Sequence, residues 1–190
     1  MVLTGFGYLV RPEWPFAFAH AADIPGAEHA ADGSSLAVIQ CGESGEPQIS
    51  AGPDAPGWRI ETARYGVNWP RGFSVESTGE GDPFAPFLLW GPDRSLIWIQ
   101  GPILRERLTS LDALIGPGQS VADRDDTPGR QYIDLDYQEE GAAWRQRHRL
   151  LDLDADHLLV VTAQAPLARA GVLLLAATEV ADSFSVTPAG

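Results

Sequence analysis

Lysine is absent from the 190 residues, and all 13 basic side chains are arginine. That excludes a Schiff-base lysine, a phosphate-loop lysine and a lysine general base. Cysteine is nearly absent as well. Cys41 stands alone, so no intrachain disulfide exists and a thiolate zinc site lacks ligands. Positive charge is scarce: 26 acidic residues face the 13 arginines, a formal net charge of −13. So negative a surface repels phosphate backbones and anionic lipid, which argues against nucleic acid and membrane as partners. It steers basic partners or cations inward, although acidity that only keeps a chain soluble is the blander reading. The first ten residues hold no basic segment, and Arg11, Pro12, Glu13 and Pro15 interrupt the apolar stretch that follows. Neither a signal peptide nor a membrane span is expected, and the cytoplasm is the expected location.

What remains is ordinary globular material, 44% hydrophobic and 21% charged. A chain of this length fits one domain and buries roughly 70% of its unfolded surface without metals or disulfides. Proline and glycine punctuate the first two thirds. Residues 42–57 and 77–86 read as loops. Between the loops lie short strand-like runs: Phe6 to Val10, Phe16 to Ala19, Ser35 to Gln40, Arg59 to Val67, Phe73 to Glu76, Phe87 to Trp90 and Leu96 to Gln100. Tyr8, Val10, Trp14, Pro15 and Phe16 echo Tyr65, Val67, Trp69, Pro70 and Phe73. Ser35 to Gln40 echoes Ser95 to Gln100. The echo suggests a duplicated β-hairpin; coincidence among short strands is the alternative.

Leu104, Leu108, Leu111 and Ile115 recur at helical spacing, which predicts a helix over 105–115, stopped by Gly116-Pro117-Gly118. Asp123 to Gly129 reads as a charged turn. The clearest signal follows. Residues 131–137 and 144–150 both alternate, separated by a turn at Glu139-Glu140-Gly141. If Asp136 faces Arg145, then Asp134 faces Arg147, and a carboxylate–guanidinium ladder lines one face. The other face then carries Tyr137 with Trp144, Leu135 with Gln146, and Ile133 with His148. A further strand is expected from His157 to Ala165. An Ala- and Leu-rich helix is expected from Leu167 to Phe184, lying across the sheet.

From Glu61 to Phe184 the chain resembles the PsbP-like superfamily, which includes the DcrB-like bacterial proteins. The matching pieces are Trp69-Pro70-Arg71-Gly72-Phe73, the central helix, the return strand Trp144-Arg145-Gln146-Arg147, the strand Leu158 to Thr162, and a closing helix ending Val180-Ala181-Asp182-Ser183-Phe184. The resemblance implies an α+β fold, an antiparallel β-sheet flanked by helices in an αβα sandwich. Residues 61–190 would form the PsbP-like core. Residues 1–60 have no counterpart and would add an N-terminal β-hairpin region to a single domain, 1–190. Many relatives are exported, whereas no leader is read here. The resemblance implies binding, assembly or accessory roles, and it carries no active site over.

Among single residues, His148 is the strongest chemical candidate. Beside Tyr137, Trp144 and Gln146 it would act as a base or anchor a ligand, against the blander reading of a satisfied core histidine. His20, His29 and His157 form no metal-ligand spacing. Asp123, Asp125 and Asp126 lack the glycine and terminal glutamate of a calcium loop. Cys41 has no base beside it in sequence. Arg145, Arg147 and Arg149 would take a carboxylate or phosphate; pairing of Asp134 and Asp136 with Arg145 and Arg147 is the plainer account. Trp58, Trp69, Trp90 and Trp98 read as core or corner residues. No cofactor and no metal are expected, and catalysis is not favoured. The expected function is a non-catalytic binding or assembly module working through a protein partner or a homodimer. The alternatives are a small-molecule protein or enzyme with a pocket between sheet and helix, using Tyr137, Trp144, Gln146 and His148, and an immunity-type inhibitor of a basic partner.

Overall fold

The computed structural model describes residues 2–4, 16–20, 36–41, 47–49, 58–77 and 85–187. Its strands are β1 (Val2–Thr4), β2 (Phe16–His20), β3 (Leu36–Cys41), β4 (Pro47–Ile49), β5 (Trp58–Thr62), β6 (Tyr65–Asn68), β7 (Ser74–Ser77), β8 (Phe87–Trp90), β9 (Leu96–Leu104), β10 (Ser120–Asp125), β11 (Tyr132–Glu139), β12 (Ala142–Asp152), β13 (His157–Pro166) and β14 (Ser185–Val186). One α-helix, α1 (Ala170–Asp182), follows β13 through a 3₁₀ turn. The α+β class and the antiparallel sheet match the expectation.

Among the described residues, ten strands form one sheet in the order β1-β3-β4-β7-β8-β9-β13-β12-β11-β10, and every adjacent pair is antiparallel. A smaller antiparallel sheet runs β14-β6-β5-β2. The first 49 residues therefore contribute strands to both sheets. Of the echoed segments, β3 and β9 share the large sheet, but Phe16 opens β2 in the small sheet whereas Phe73 leads into β7 in the large one. The stretch around Tyr8 and Trp14 lies outside the described residues.

One face of the large sheet carries the main core. Val75, Phe87, Leu89, Ile97, Ile99, Leu159, Val161, Ala163 and Leu151 pack against Leu173, Ala177 and Val180 of α1 and against Trp58, Ile60, Tyr65 and Val67 of the small sheet. Burial of these side chains is the chief stabilising term. Arg59 ties the layers together, donating to Asn68 Oδ1 at 3.1 Å, to the Ser183 carbonyl at 3.1 Å and to Ser185 Oγ at 2.8 Å. The Trp69-Pro70-Arg71-Gly72-Phe73 segment is a tight corner. The Phe73 amide donates to the Pro70 carbonyl, the Trp69 indole donates to the Phe73 carbonyl, and Gly72 takes φ +79°.

Three expectations change. The segment expected to run as one strand from Arg59 to Val67 is a hairpin of β5 and β6. The helix expected over 105–115 is instead two 3₁₀ turns, Arg105–Arg107 and Leu111–Leu114. Ser110 Oγ accepts from the Asp112 amide and caps the second turn, which starts a new short element where the helix would have continued. These turns still do the work expected of a helix. Leu108, Leu111, Leu114 and Ile115 cover Ile133, Leu135, Leu150, Leu158 and Val160 on the second face of the large sheet. Finally, the supposed charged turn after Asp123 begins as strand β10, paired with β11 through a bulge between Val121 and Asp123. Among the described residues, no helix is long and apolar enough to cross a membrane.

Candidate functional site

The hairpin of β11 and β12 sorts the candidate residues onto two faces. Its two-residue loop, Glu140-Gly141, has φ +51° and +79°, the left-handed pair that matches the twist of tightly connected strands. The resulting register pairs Asp136 with Arg145, Asp134 with Arg147, Tyr137 with Trp144, Leu135 with Gln146 and Ile133 with His148.

The face shared with α1 is a closed ionic ladder. Arg147 grips Asp134 at 2.6 and 2.8 Å, and Arg145 grips Asp136 at 2.8 and 2.9 Å. The Arg147 guanidinium also lies 4.4 Å from the Tyr132 ring centroid. Arg149 bonds Asp182 at the end of α1 at 2.7 Å. Arg145 holds the Asp136 carboxyl below its usual range by hydrogen bonding. Tyr132 does the same for Asp123, at 2.8 Å. With every arginine of this row already paired, the ladder serves structure and offers no open anion site.

Tyr137, Trp144, Gln146 and His148 lie on the opposite face, away from α1. The pocket expected between sheet and helix is therefore replaced by a sheet surface. The 3₁₀ turns cover it only at the Leu111 end. Neighbouring strands extend it. Thr162 pairs with both His148 and Trp98, Gln164 pairs with both Gln146 and Leu96, Trp90 pairs with Leu96, and Leu88 pairs with Trp98. One row thus reads Glu76, Leu88, Trp98, Thr162, His148 across the sheet, and the next reads Ser74, Trp90, Leu96, Gln164, Gln146. Trp98, Leu96, Leu88 and Gln164 are half-buried, and Trp90 is 41% exposed.

Within this face an amide relay runs in one direction. The Gly116 amide donates to Gln119 Oε1 at 2.7 Å, which leaves Gln119 Nε2 to donate to Gln146 Oε1 at 2.8 Å. Gln146 Nε2 donates in turn to Gln164 Oε1 at 3.5 Å, and Tyr137 adds its hydroxyl to the same oxygen at 3.5 Å. Tyr137 stacks on Trp144 with ring centroids 6.3 Å apart. The Arg94 guanidinium lies 4.9 Å from the Trp144 centroid on the other hand. Arg94 is held in a left-handed turn, φ +66°, after Asp93 at φ +55°. Its charge is shared with Glu140 at 3.8 Å. At the other margin the Trp90 indole donates to Glu76.

His148 sits beneath this surface. Its Nδ1 lies 2.9 Å from Thr162 Oγ1, and burial pushes its pKa down to about 4. It is neutral at pH 7, and no carboxylate partners it among the described residues, so the orienting acid of a catalytic histidine is missing there. No group of three or more metal-ligating side chains occurs among the described residues. A second depression, of about 240 Å³, lies between Leu108, Leu111, Gln131, Leu150 and Leu158. Its one cation, Arg105, is occupied by Asp152 and by the carbonyls of Asp154 and Ala155.

No family model and no curated protein matches the chain. Two solved structures share its general path. The solution structure of cyanobacterial PsbP (CyanoP) from Synechocystis sp. PCC 6803 matches with a TM-score of 0.45 and 13% identity, over 86% of this chain and 99% of that one. The crystal structure of LpqN, involved in cell envelope biogenesis of Mycobacterium tuberculosis, matches with a TM-score of 0.34 and 15% identity, over 91% of this chain and 92% of that one.

Sequence pattern alone assembled half of the candidate face, the half that a single hairpin supplies. Trp90, Trp98, Gln119 and Gln164 were missed. Alternation within β9 and β13 carried the signal for the side each residue takes, but not for the adjacency of those two strands.

Proposed function

We propose that this protein is a non-catalytic binding module whose working surface is the second face of the large sheet, between the Leu111 cover and Trp90. One observation carries the reading. Two indoles, Trp90 and Trp98, the half-buried Tyr137 and a run of amide side chains share an accessible surface, while Asp134, Asp136, Arg145, Arg147 and Arg149 of the neighbouring hairpin are turned to the other side and paired. Aromatic surface with a few fixed polar groups is the usual make-up of a recognition site. The neutral His148, bonded to Thr162, supports binding over proton transfer.

Hydroxyl-radical footprinting tests the surface. The purified protein is compared with the protein in an extract of its own source. Protection of Trp90, Trp98 and Tyr137 is expected. Unchanged labelling there, with protection instead of Val172 and Leu175 on the outer side of α1, would refute it.

A further inference from the structure

We propose that the same face binds a neutral, hydroxyl-rich chain, an uncharged oligosaccharide. This rests on the binding surface just described and names its ligand.

The surface is bipartite. Trp98 and Trp90 lie toward one side, and the half-buried Tyr137, stacked on the buried Trp144, lies toward the other. Trp98 and Tyr137 are separated by three strand spacings and four residues along the strands, about 20 Å at standard sheet dimensions. A ligand touching both is an extended molecule. Between them the side chains are Thr162, Gln164, Gln146 and Leu96, none of them charged. Charges stand only at the margins: Glu76 on one, Arg94 with Glu140 on the other. A charged ligand crossing the middle would lose hydration there and meet no counter-charge. An uncharged one loses nothing comparable.

The amide relay gives the second observation. Its direction is set by the Gly116 amide, which forces Gln119 Oε1 toward it and each later oxygen the same way. The relay ends at Gln164, whose Nε2 has no partner among the described residues. A pre-aligned donor pair thus stands beside aromatic surface and wants an oxygen that brings no charge. A pyranose supplies both halves of this pattern: a flat C–H face for an indole and a rim of hydroxyls for amides. A purely apolar helix would leave the Gln164 donors unmet.

Titration followed by tryptophan fluorescence and calorimetry tests the assignment. The probes are hexasaccharides of glucose and of N-acetylglucosamine, a heparin-derived sulfated hexasaccharide, and a proline-rich decapeptide. Saturable binding of a neutral hexasaccharide is expected, with little dependence on salt. Trp98→Ala should weaken it about tenfold, and Gln164→Leu, which keeps the bulk, about fivefold. If Trp98→Ala no longer melts cooperatively, Gln164→Leu decides. Binding of only the sulfated sugar or the peptide, lost in the same variants, would overturn the ligand while leaving the binding surface standing. Binding of none of the probes, or binding indifferent to both substitutions, would overturn the ligand, and the footprint at Trp90, Trp98 and Tyr137 then decides separately whether the surface itself survives.

Discussion

Consider removal of Arg147's charge by Arg147→Met. Asp134 is 2% exposed, and both of its oxygens are taken by Arg147. The substitution leaves a buried carboxylate without its counter-ion, a loss of about 3–5 kcal/mol. For a chain of this length that is a fall in Tm of roughly 6–20 °C. Arg145→Met strikes a pair of the same geometry, but its side chains are 25% and 34% exposed, so water takes over much of the lost interaction. About 0.5–1 kcal/mol is expected there. Burial, not bond length, separates the two: the distances differ by 0.1–0.2 Å at most. The double variant Asp134→Leu/Arg147→Met completes the test. With both charges gone no desolvated ion remains, so the double should be more stable than Arg147→Met alone. Urea unfolding of the four proteins measures this. Equal losses for Arg147→Met and Arg145→Met, or additive losses in the Asp134/Arg147 cycle, would refute the reasoning.

Tyr65→Phe should stabilise the fold by up to ~1 kcal/mol, because the buried hydroxyl has no hydrogen-bond partner among the described residues and burial raises its pKa; a lower urea midpoint would show that the hydroxyl is satisfied. His148 has a folded pKa below its unfolded value, so its contribution is intact above about pH 6.5 and is lost as pH falls toward 4, by up to ~3 kcal/mol. The difference in stability between the wild type and His148→Phe should therefore shift in favour of the variant across that window, and parallel pH profiles would contradict it. Gly101→Ala should cost about 1–3 kcal/mol: at φ +139° an added Cβ lies 2.7 Å from Leu159 Cδ2 and 2.9 Å from the Leu158 carbonyl oxygen. A melt unchanged from wild type would count against this close packing of Gly101 on β13.

The β11–β12 hairpin was legible to the residue, since strict alternation and a Glu-Gly turn leave one register that keeps Ile133 and Leu135 inside. The closing helix was legible too, trimmed at its start because Leu167–Arg169 winds as a 3₁₀ turn. Residues 105–115 misled. Leu104 belongs to β9, and the Ser110 cap breaks the period that Leu108 and Leu111 suggest. Residues 59–67 misled for the opposite reason: the Thr62 hydroxyl receives the Arg64 and Tyr65 amides, a turn with no glycine or proline to announce it. The candidate face was half legible. Placing Trp98 beside Thr162 requires the crossover that seats β13 next to β9, a pairing across more than sixty residues that no local pattern encodes.

Strand β12 sends Arg145, Arg147 and Arg149 to one side and Trp144, Gln146 and His148 to the other. A slip of a single residue would therefore put guanidinium groups among the indoles and an indole among the carboxylates. Misalignment here has no partial form: both sides fail together. The hairpin thus proofreads its own assembly, and the stability of the ladder guarantees that the amides across the sheet are in place.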